Sequence, residues 1–170
     1  MSAISLSMDQ NWKQAVEGVV KQIIFHYYQA SPSVRSASFI LRLTDRYWKT
    51  LDERLFDSPV HYYTVLVKTI DHLLQFLQPS VDCFLLFERI EYGAKWMKKR
   101  IEIDMAYNDK GKCVIRKFLL EADEAGCSRY FACVVAACRD LGIALSKVEF
   151  YSLLTGERKD VYVDVSHRFR

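Results

Sequence analysis

Apolar and polar residues alternate along two segments near the C-terminal end of the chain, and this alternation predicts β-strands. In RIEIDMAY, residues 100–107, four apolar residues share one face, as a period of two requires of a half-buried strand: Ile101, Ile103, Met105 and Tyr107. The next four residues, Asn-Asp-Lys-Gly, favour a tight turn, because Asn and Asp bond the local backbone and Gly accepts a positive φ. Residues 112–120 complete a hairpin, and their less regular alternation predicts burial on both faces or a bulge.

A second hairpin is predicted over residues 146–166. Its first strand has one apolar face, formed by Val148, Phe150 and Leu154. In its second strand, valines alternate with polar residues, which again indicates one dry and one wet face: Val161, Val163 and Val165 against Asp160, Tyr162 and Asp164.

A helix is predicted between the two hairpins. Asp123 or Ser128 is its candidate N-cap, and Gly142 closes it, as glycine commonly does just past a helix end. Apolar residues at helical spacing trace one face: Phe131, Val134, Val135, Cys138 and Leu141. The order ββαββ therefore predicts an α+β fold, with one antiparallel sheet that carries the helix on a face.

Four helices are predicted in the N-terminal half, where apolar residues recur at intervals of three and four. Their expected bounds are residues 9–29, 34–55, 60–78 and 81–98. A capping-box pattern at residues 7–10 precedes the first, and Ser58-Pro59 supplies a cap and a first turn for the third. The third helix is apolar over a wide stripe, which is typical of a central helix or of one at a dimer interface.

A single domain is predicted over residues 1–170. Residues 1–98 form its mainly helical part, and residues 99–170 form the hairpin–helix–hairpin part on which the helices are expected to pack. The prediction rests on length, because neither part is long and no Gly- or Pro-rich segment separates them.

Composition and charge exclude several classes of protein. The net charge of +3 is too small to indicate nucleic-acid binding by itself. The five cysteines are odd in number and lack C-x-x-C spacing, so we expect reduced thiols, and no signal-peptide pattern precedes them. No segment reaches the roughly 18 consecutive apolar residues of a membrane helix. A cytoplasmic protein without a membrane span is therefore predicted.

The sequence contains no catalytic or metal-binding signature. His61 and His72 lie near one helical face but about 16 Å apart at the rise of a helix, too far to share a metal ion. The six glycines do not cluster into a phosphate-binding loop. Strand alternation already explains the acidic pair Glu102 and Asp104 as facing solvent. We therefore expect a non-enzymatic protein with no metal and no cofactor.

Aromatic residues supply the candidate ligand pocket. Tyrosine rings with polar tips line small-molecule pockets and interfaces, although they also fill cores. The candidate pocket residues are Tyr27, Tyr28, Tyr47, Tyr63 and Phe131. A candidate basic patch, Lys98, Lys99 and Arg100, lies close to Trp96, and exposed aromatics beside a basic rim can stack bases, although an RNP-type motif is missing.

The C-terminal third resembles a known family. The helix FACVVAACRDLGI, with its Leu141-Gly142-Ile143 stop, and the hairpin KVEFYSLLTGERKDVYVDV after it are similar to the closing part of vinyl-reductase-like sensor domains and of the related TRAPP trafficking subunits. The cysteine and histidine ligands of some members are not identifiable in this chain. The resemblance implies a small module that binds an apolar molecule or a protein partner, often as a dimer, without catalysis.

These patterns favour a cytosolic, non-enzymatic module that senses a small apolar molecule or forms a dimer through a helix such as the third. Two alternatives stay open. In the first, the chain is a chaperone or scaffold that binds a partner strand at a sheet edge. In the second, it is an RNA-binding module that uses the basic patch.

Overall fold

A computed structural model describes residues 3–163 of the chain, with side chains from residue 11 onward. Helices dominate the first half and a mixed sheet the second, so the predicted α+β class is confirmed. The chain divides into two compact units. Among the described residues, the helical unit comprises residues 3–81 with 153–156, and the sheet unit comprises residues 82–152 with 157–163. The single-domain organisation stays a prediction.

The helical unit contains α1 (Ala3–Gln29), α2 (Ala37–Trp48), a short 3₁₀ helix (Glu53–Leu55) and α3 (Pro59–Phe76). Helix α1 begins earlier than predicted, and the side chains of the expected capping box lie outside the described residues. The Ser58 hydroxyl caps α3 by accepting from the His61 N–H at 3.1 Å, as predicted. The predicted second helix is too long, because α2 ends at Trp48 and Asp52 caps the separate 3₁₀ turn.

Helix α1 supplies much of the core of the helical unit. One face of this helix is almost completely shielded from solvent over four turns: Trp12, Val16, Val19, Val20, Ile23, Ile24 and Tyr27. The apolar stripe predicted from spacings of three and four is therefore confirmed.

The sheet unit contains β1 (Cys83–Tyr92), β2 (Lys99–Asp109), β3 (Lys112–Leu119), α4 (Glu124–Asp140), β4 (Leu145–Ser152) and β5 (Arg158–Tyr162). Its strands follow the order β1-β2-β3-β4-β5. The sheet is mixed rather than antiparallel, since β3 and β4 are parallel while every other pair is antiparallel. Helix α4 is the reason, because a crossover helix returns the chain to the same end of the sheet before β4 begins.

The predicted fourth helix, residues 81–98, is wrong. Most of this segment is strand β1, which pairs with β2 from Cys83–Tyr107 to Tyr92–Lys99. Its apolar residues satisfy a helical period as well as a strand, but β2 offers an unpaired edge whose backbone groups need partners. The order is therefore βββαββ instead of ββαββ.

Helix α4 covers one face of the sheet and closes the core of this unit. Val134, Ala137 and Cys138 from the helix pack with strand residues in one buried cluster, which includes Ile101, Ile103, Ile115, Val148 and Phe150. Val161 and Val163 pack against the same cluster, so the predicted dry face of the second hairpin is confirmed for these valines and for Val148 and Phe150. Leu154 was wrongly placed on this face, since β4 ends at Ser152 and Leu154 belongs to the helical unit. Strand β3 is buried on both faces, as its irregular alternation predicted. Val165 lies outside the described residues.

Candidate functional site

The candidate pocket residues do not come together in one place. Tyr63 lines a cleft in the helical unit. Tyr27 and Tyr28 are buried, and the Tyr28 hydroxyl accepts from the Gln78 N–H at 3.3 Å. The Tyr47 hydroxyl lies 3.2 Å from His26 Nδ1. Phe131 lies on α4 in the sheet unit, where it packs against the buried cluster.

A cleft between α2 and α3 has an aromatic floor. Its volume is about 380 Å³. Trp48, the last residue of α2, and Tyr62 in the first turns of α3 form the floor, with ring centroids 6.1 Å apart and planes at 62°. The remaining lining is mostly apolar with a charged rim: Leu41, Thr44, Asp45, Lys49, Glu53, Tyr63, Leu66 and Ile70. Of these residues, the sequence reasoning selected Tyr63 for the pocket but not Trp48 or Tyr62.

Two polar groups belong to the floor of this cleft. Burial raises the pKa of the Tyr62 hydroxyl, the Glu53 carboxylate and Tyr63 add to the increase, and the Trp48 indole N–H opposes it. That indole N–H is buried and makes no hydrogen bond of acceptable geometry to any described residue. A buried donor without a partner costs about 1–3 kcal/mol. The floor therefore contains a neutral Tyr62 hydroxyl and a Trp48 N–H that could donate a hydrogen bond to a bound molecule.

The rim of the cleft is charged and wet. Lys49 Nζ lies 2.7 Å from Asp45 Oδ2, with 72% and 66% of the two side chains exposed. Glu53 adds a second carboxylate from the 3₁₀ turn. Exposed pairs of this kind add little stability. The rim is thus available to orient a polar group of a bound molecule.

Helix α3 has a second apolar face, which we call the outer stripe: Val60, Tyr63, Val67, Ile70 and Leu74. These residues follow one another at steps of three and four, the spacing of helix pairing. Val60, Tyr63 and Val67 are 75%, 54% and 63% exposed. The opposite face of α3 is buried, with Tyr62, Val65, Leu73 and Phe76. The wide dry stripe predicted for this helix is thus half core and half surface.

A buried ion-pair network lies in the sheet unit, on strands β3, β4 and β5. Arg116 Nη2 and Nε each lie 2.8 Å from Glu149 Oε2, and both side chains are about 1% exposed. The other Glu149 oxygen accepts from Lys147 at 2.7 Å and from Arg158 at 3.0 Å. Asp160 completes the network by accepting from Lys147 at 2.6 Å.

The electrostatics of this network keep its carboxylates charged. Burial raises the pKa of Glu149, but the hydrogen bonds from Lys147 and Arg116 and their charges outweigh burial and hold it below the ordinary value of 4.5. The hydrogen bond from Arg158 likewise lowers the pKa of Asp160. A carboxylate that stays ionised among fixed cations is suited to holding strands together rather than to proton transfer at neutral pH.

The candidate basic patch lies where the β1–β2 connection meets β2. One carboxylate, that of Glu91, accepts from Lys98 at 3.2 Å and from Arg100 at 2.8 Å. Trp96 and Met97, in the same connection, are 88% and 62% exposed. The sequence brought the three cations and Trp96 together, but it placed the tryptophan on a helix instead of a hairpin loop.

The sheet edge considered for strand addition is β5, which pairs only with β4 among the described residues. Its central Asp160 is committed to Lys147 and Arg158. Charged residues on a short edge strand discourage pairing with another chain.

The described part of the chain contains no group of three His, Cys, Asp or Glu residues that could hold a metal ion. Within residues 3–163, no helix is both long and apolar enough to cross a membrane. No protein-family model and no curated protein matches this chain, so the resemblance to vinyl-reductase-like and TRAPP proteins stays a prediction.

Proposed function

We propose that this protein is a non-enzymatic, cytoplasmic module that binds a small apolar molecule in the cleft between α2 and α3. The observation that carries the proposal is the form of the cleft, with an aromatic floor of Trp48 and Tyr62, aliphatic walls and a charged rim. Ligand pockets typically measure about 300–1,000 Å³ and combine apolar walls with a few polar groups. The volume of about 380 Å³ suits a compact ligand.

The polar groups of the cleft restrict the chemistry of such a ligand. The aromatic floor favours a flat or branched apolar body, since rings bury large apolar areas in offset or edge-on contact. The rim carries two carboxylates, Asp45 and Glu53, against the single amine of Lys49. A ligand with a hydroxyl or amine donor at its outer end therefore fits this rim better than an anionic one.

Native and denaturing mass spectra of one purified sample test the proposal. We expect the native spectrum to show a mass above that of the chain, and the denaturing spectrum to lack it. If the purified protein has lost its ligand, we expect the extra mass to appear after a hydrophobic extract is added. Tyr63→Ala should reduce the bound fraction, because this ring lines the cleft. Tyr162→Ala is the matched control, because it removes another exposed tyrosine ring, 66% exposed against 54% for Tyr63, from the sheet unit. A bare monomer that binds nothing from the extract contradicts the proposal.

A second candidate function is self-association through the outer stripe of α3. Its heptad-like spacing and exposure favour this function. The area is small, however, since a helix of 18 residues is about 27 Å long and a stripe about 10 Å wide offers roughly 300 Å². A typical stable interface buries about 800 Å² per partner. The small-molecule function is therefore the first choice.

Light scattering after gel filtration distinguishes the two candidates. A dimer that Val67→Asp converts to a monomer favours the outer stripe, since a buried charge in an interface is costly. Val34→Asp is the control, because it makes the same change at another exposed valine of the helical unit, 44% exposed. A monomer at all concentrations removes the second candidate.

A further inference from the structure

The connection between β1 and β2 is the most exposed apolar feature of the sheet unit, and its flanks are basic. We call residues 93–100 the hairpin tip. Trp96 is 88% exposed and Met97 is 62% exposed. Lys95, Lys98, Lys99 and Arg100 surround this pair in the sequence. The Glu91 carboxylate pairs with two of these cations, Lys98 and Arg100.

The hairpin tip is held in a defined conformation. Gly93 has a φ of +102°, and a Cβ at this position would lie 2.7 Å from the Met97 carbonyl oxygen, so only glycine fits. The Gly93 N–H donates to Asp140 Oδ2 at 2.9 Å, and the Met97 N–H donates to the Ala94 carbonyl at 2.9 Å. A fixed turn thus presents two large apolar side chains to solvent, and neither belongs to the buried cluster of this unit.

We propose that the hairpin tip is a contact site for the surface of an anionic lipid membrane. Trp96 and Met97 enter the headgroup layer, and Lys95, Lys98, Lys99 and Arg100 lie against the anionic headgroups. Tryptophan favours the interface between membrane and water, because its ring is apolar and its N–H can bond to polar groups there. Basic residues beside such an anchor add electrostatic attraction to acidic lipids.

The distribution of acidic residues favours a membrane over single-stranded nucleic acid. Glu91 and Glu102 lie on the paired strands directly behind the hairpin tip, where Arg100 opposes Glu91 and Arg89 opposes Glu102. A nucleic acid strand that continued from Trp96 along the sheet would bring its phosphates close to these carboxylates. A flat membrane touches only the end of the hairpin. Met97 also gains from burial in lipid, whereas a methionine offers no flat face on which a base can stack.

The chain carries its own reporter for this contact. It has three tryptophans, of which Trp12 and Trp48 are 4% and 3% exposed. A shift of fluorescence to shorter wavelength on addition of vesicles therefore reports Trp96. We expect this shift, with co-sedimentation, for vesicles of phosphatidylcholine mixed with phosphatidylserine, and neither for phosphatidylcholine alone.

Variants of the full chain test both parts of the proposal. We expect Trp96→Ala with Met97→Ala to reduce partitioning by about tenfold or more, from the loss of apolar burial. Lys95→Glu with Lys99→Glu should reduce it by a similar or larger factor and weaken its salt dependence. The control is Lys110→Glu with Lys112→Glu, which makes the same charge change at the far end of β2, on the order of 30 Å away.

Four results would overturn the proposal. They are the absence of binding to anionic vesicles, equal binding to neutral vesicles, unchanged binding of the Trp96 and Met97 variant, and equal loss of binding in the Lys110 and Lys112 control. A single-stranded poly-uridylate that binds with a Trp96 signal, while vesicles do not, would assign the hairpin tip to nucleic acid instead. The test is independent of the cleft, because none of these residues lines it.

Discussion

Replacement of Glu149 by glutamine is expected to destabilise the sheet unit strongly. The substitution keeps the shape of the side chain but removes the negative charge from a group that is 1% exposed. At the observed separation of 2.8 Å, the attraction between Arg116 and Glu149 is about 6 kcal/mol at an effective dielectric constant of 20. Loss of this attraction leaves the Arg116 guanidinium buried beside a neutral amide.

The expected loss of unfolding free energy is about 3–5 kcal/mol, the usual cost of breaking one side of a buried pair. It is less than the full Coulomb energy, because the Arg116 guanidinium also lies over the Tyr107 and Tyr151 rings, 5.1 and 4.9 Å from their centroids. Arg116→Met should cost less than Glu149→Gln, because Glu149 keeps its contacts with Lys147 and Arg158.

Urea unfolding at neutral pH, followed by far-UV circular dichroism, measures these differences. The double variant Arg116→Met with Glu149→Gln serves as the control, since it removes the pair without leaving a buried guanidinium. We expect it to be more stable than Glu149→Gln alone. A loss below about 1 kcal/mol for Glu149→Gln, or a double variant as unstable as the sum of the single ones, would refute the reasoning.

Three further predictions follow from burial and charge. Thr69→Val should raise the unfolding free energy by about 1 kcal/mol. The reason is that it removes a fully buried hydroxyl that has no hydrogen-bond partner in the described part of the chain. A lower urea midpoint for the variant would contradict this prediction. The folded-state pKa values of Glu149 and Asp160 lie below their ordinary values of 4.5 and 3.8. The stability that these two carboxylates give to the folded state is therefore fully present when the pH is above the ordinary values. It should be lost as the pH falls below about 4.5, with a shallower decline in Glu149→Gln; an equally steep decline would argue against the network. Burial raises the pKa of the Cys113 thiol to about 12 and also raises the pKa values of Cys127 and Cys138. These three thiols should therefore resist a thiol reagent at pH 8 until urea is added. Fast labelling of all five cysteines in the native state would contradict this prediction.

The candidate site was only partly predictable, for a physical reason. Tyr63 was identified from its aromatic ring and the third helix from hydrophobic spacing. The spacing could not show which part of the helix is exposed, because an exposed apolar stripe and a buried one leave the same local pattern. Trp48 and Tyr62 form the floor of the cleft only because α2 ends at Trp48 and α3 begins at Pro59, which places the two rings next to each other. The network around Glu149 joins residues that are far apart in sequence, so no local spacing reveals it.

The sequence by itself determined the elements whose signals are local. The turn at residues 108–111, the cap at Ser58, the apolar face of α1 and the alternation in β5 all depend on neighbours within a few positions. Only the tertiary structure decided that residues 83–92 form a strand. Their apolar spacing fits a helix as well as a strand, and pairing with the free edge of β2 favours the strand. The tertiary structure also decided that β3 and β4 run parallel, since that direction depends on where α4 packs across the sheet.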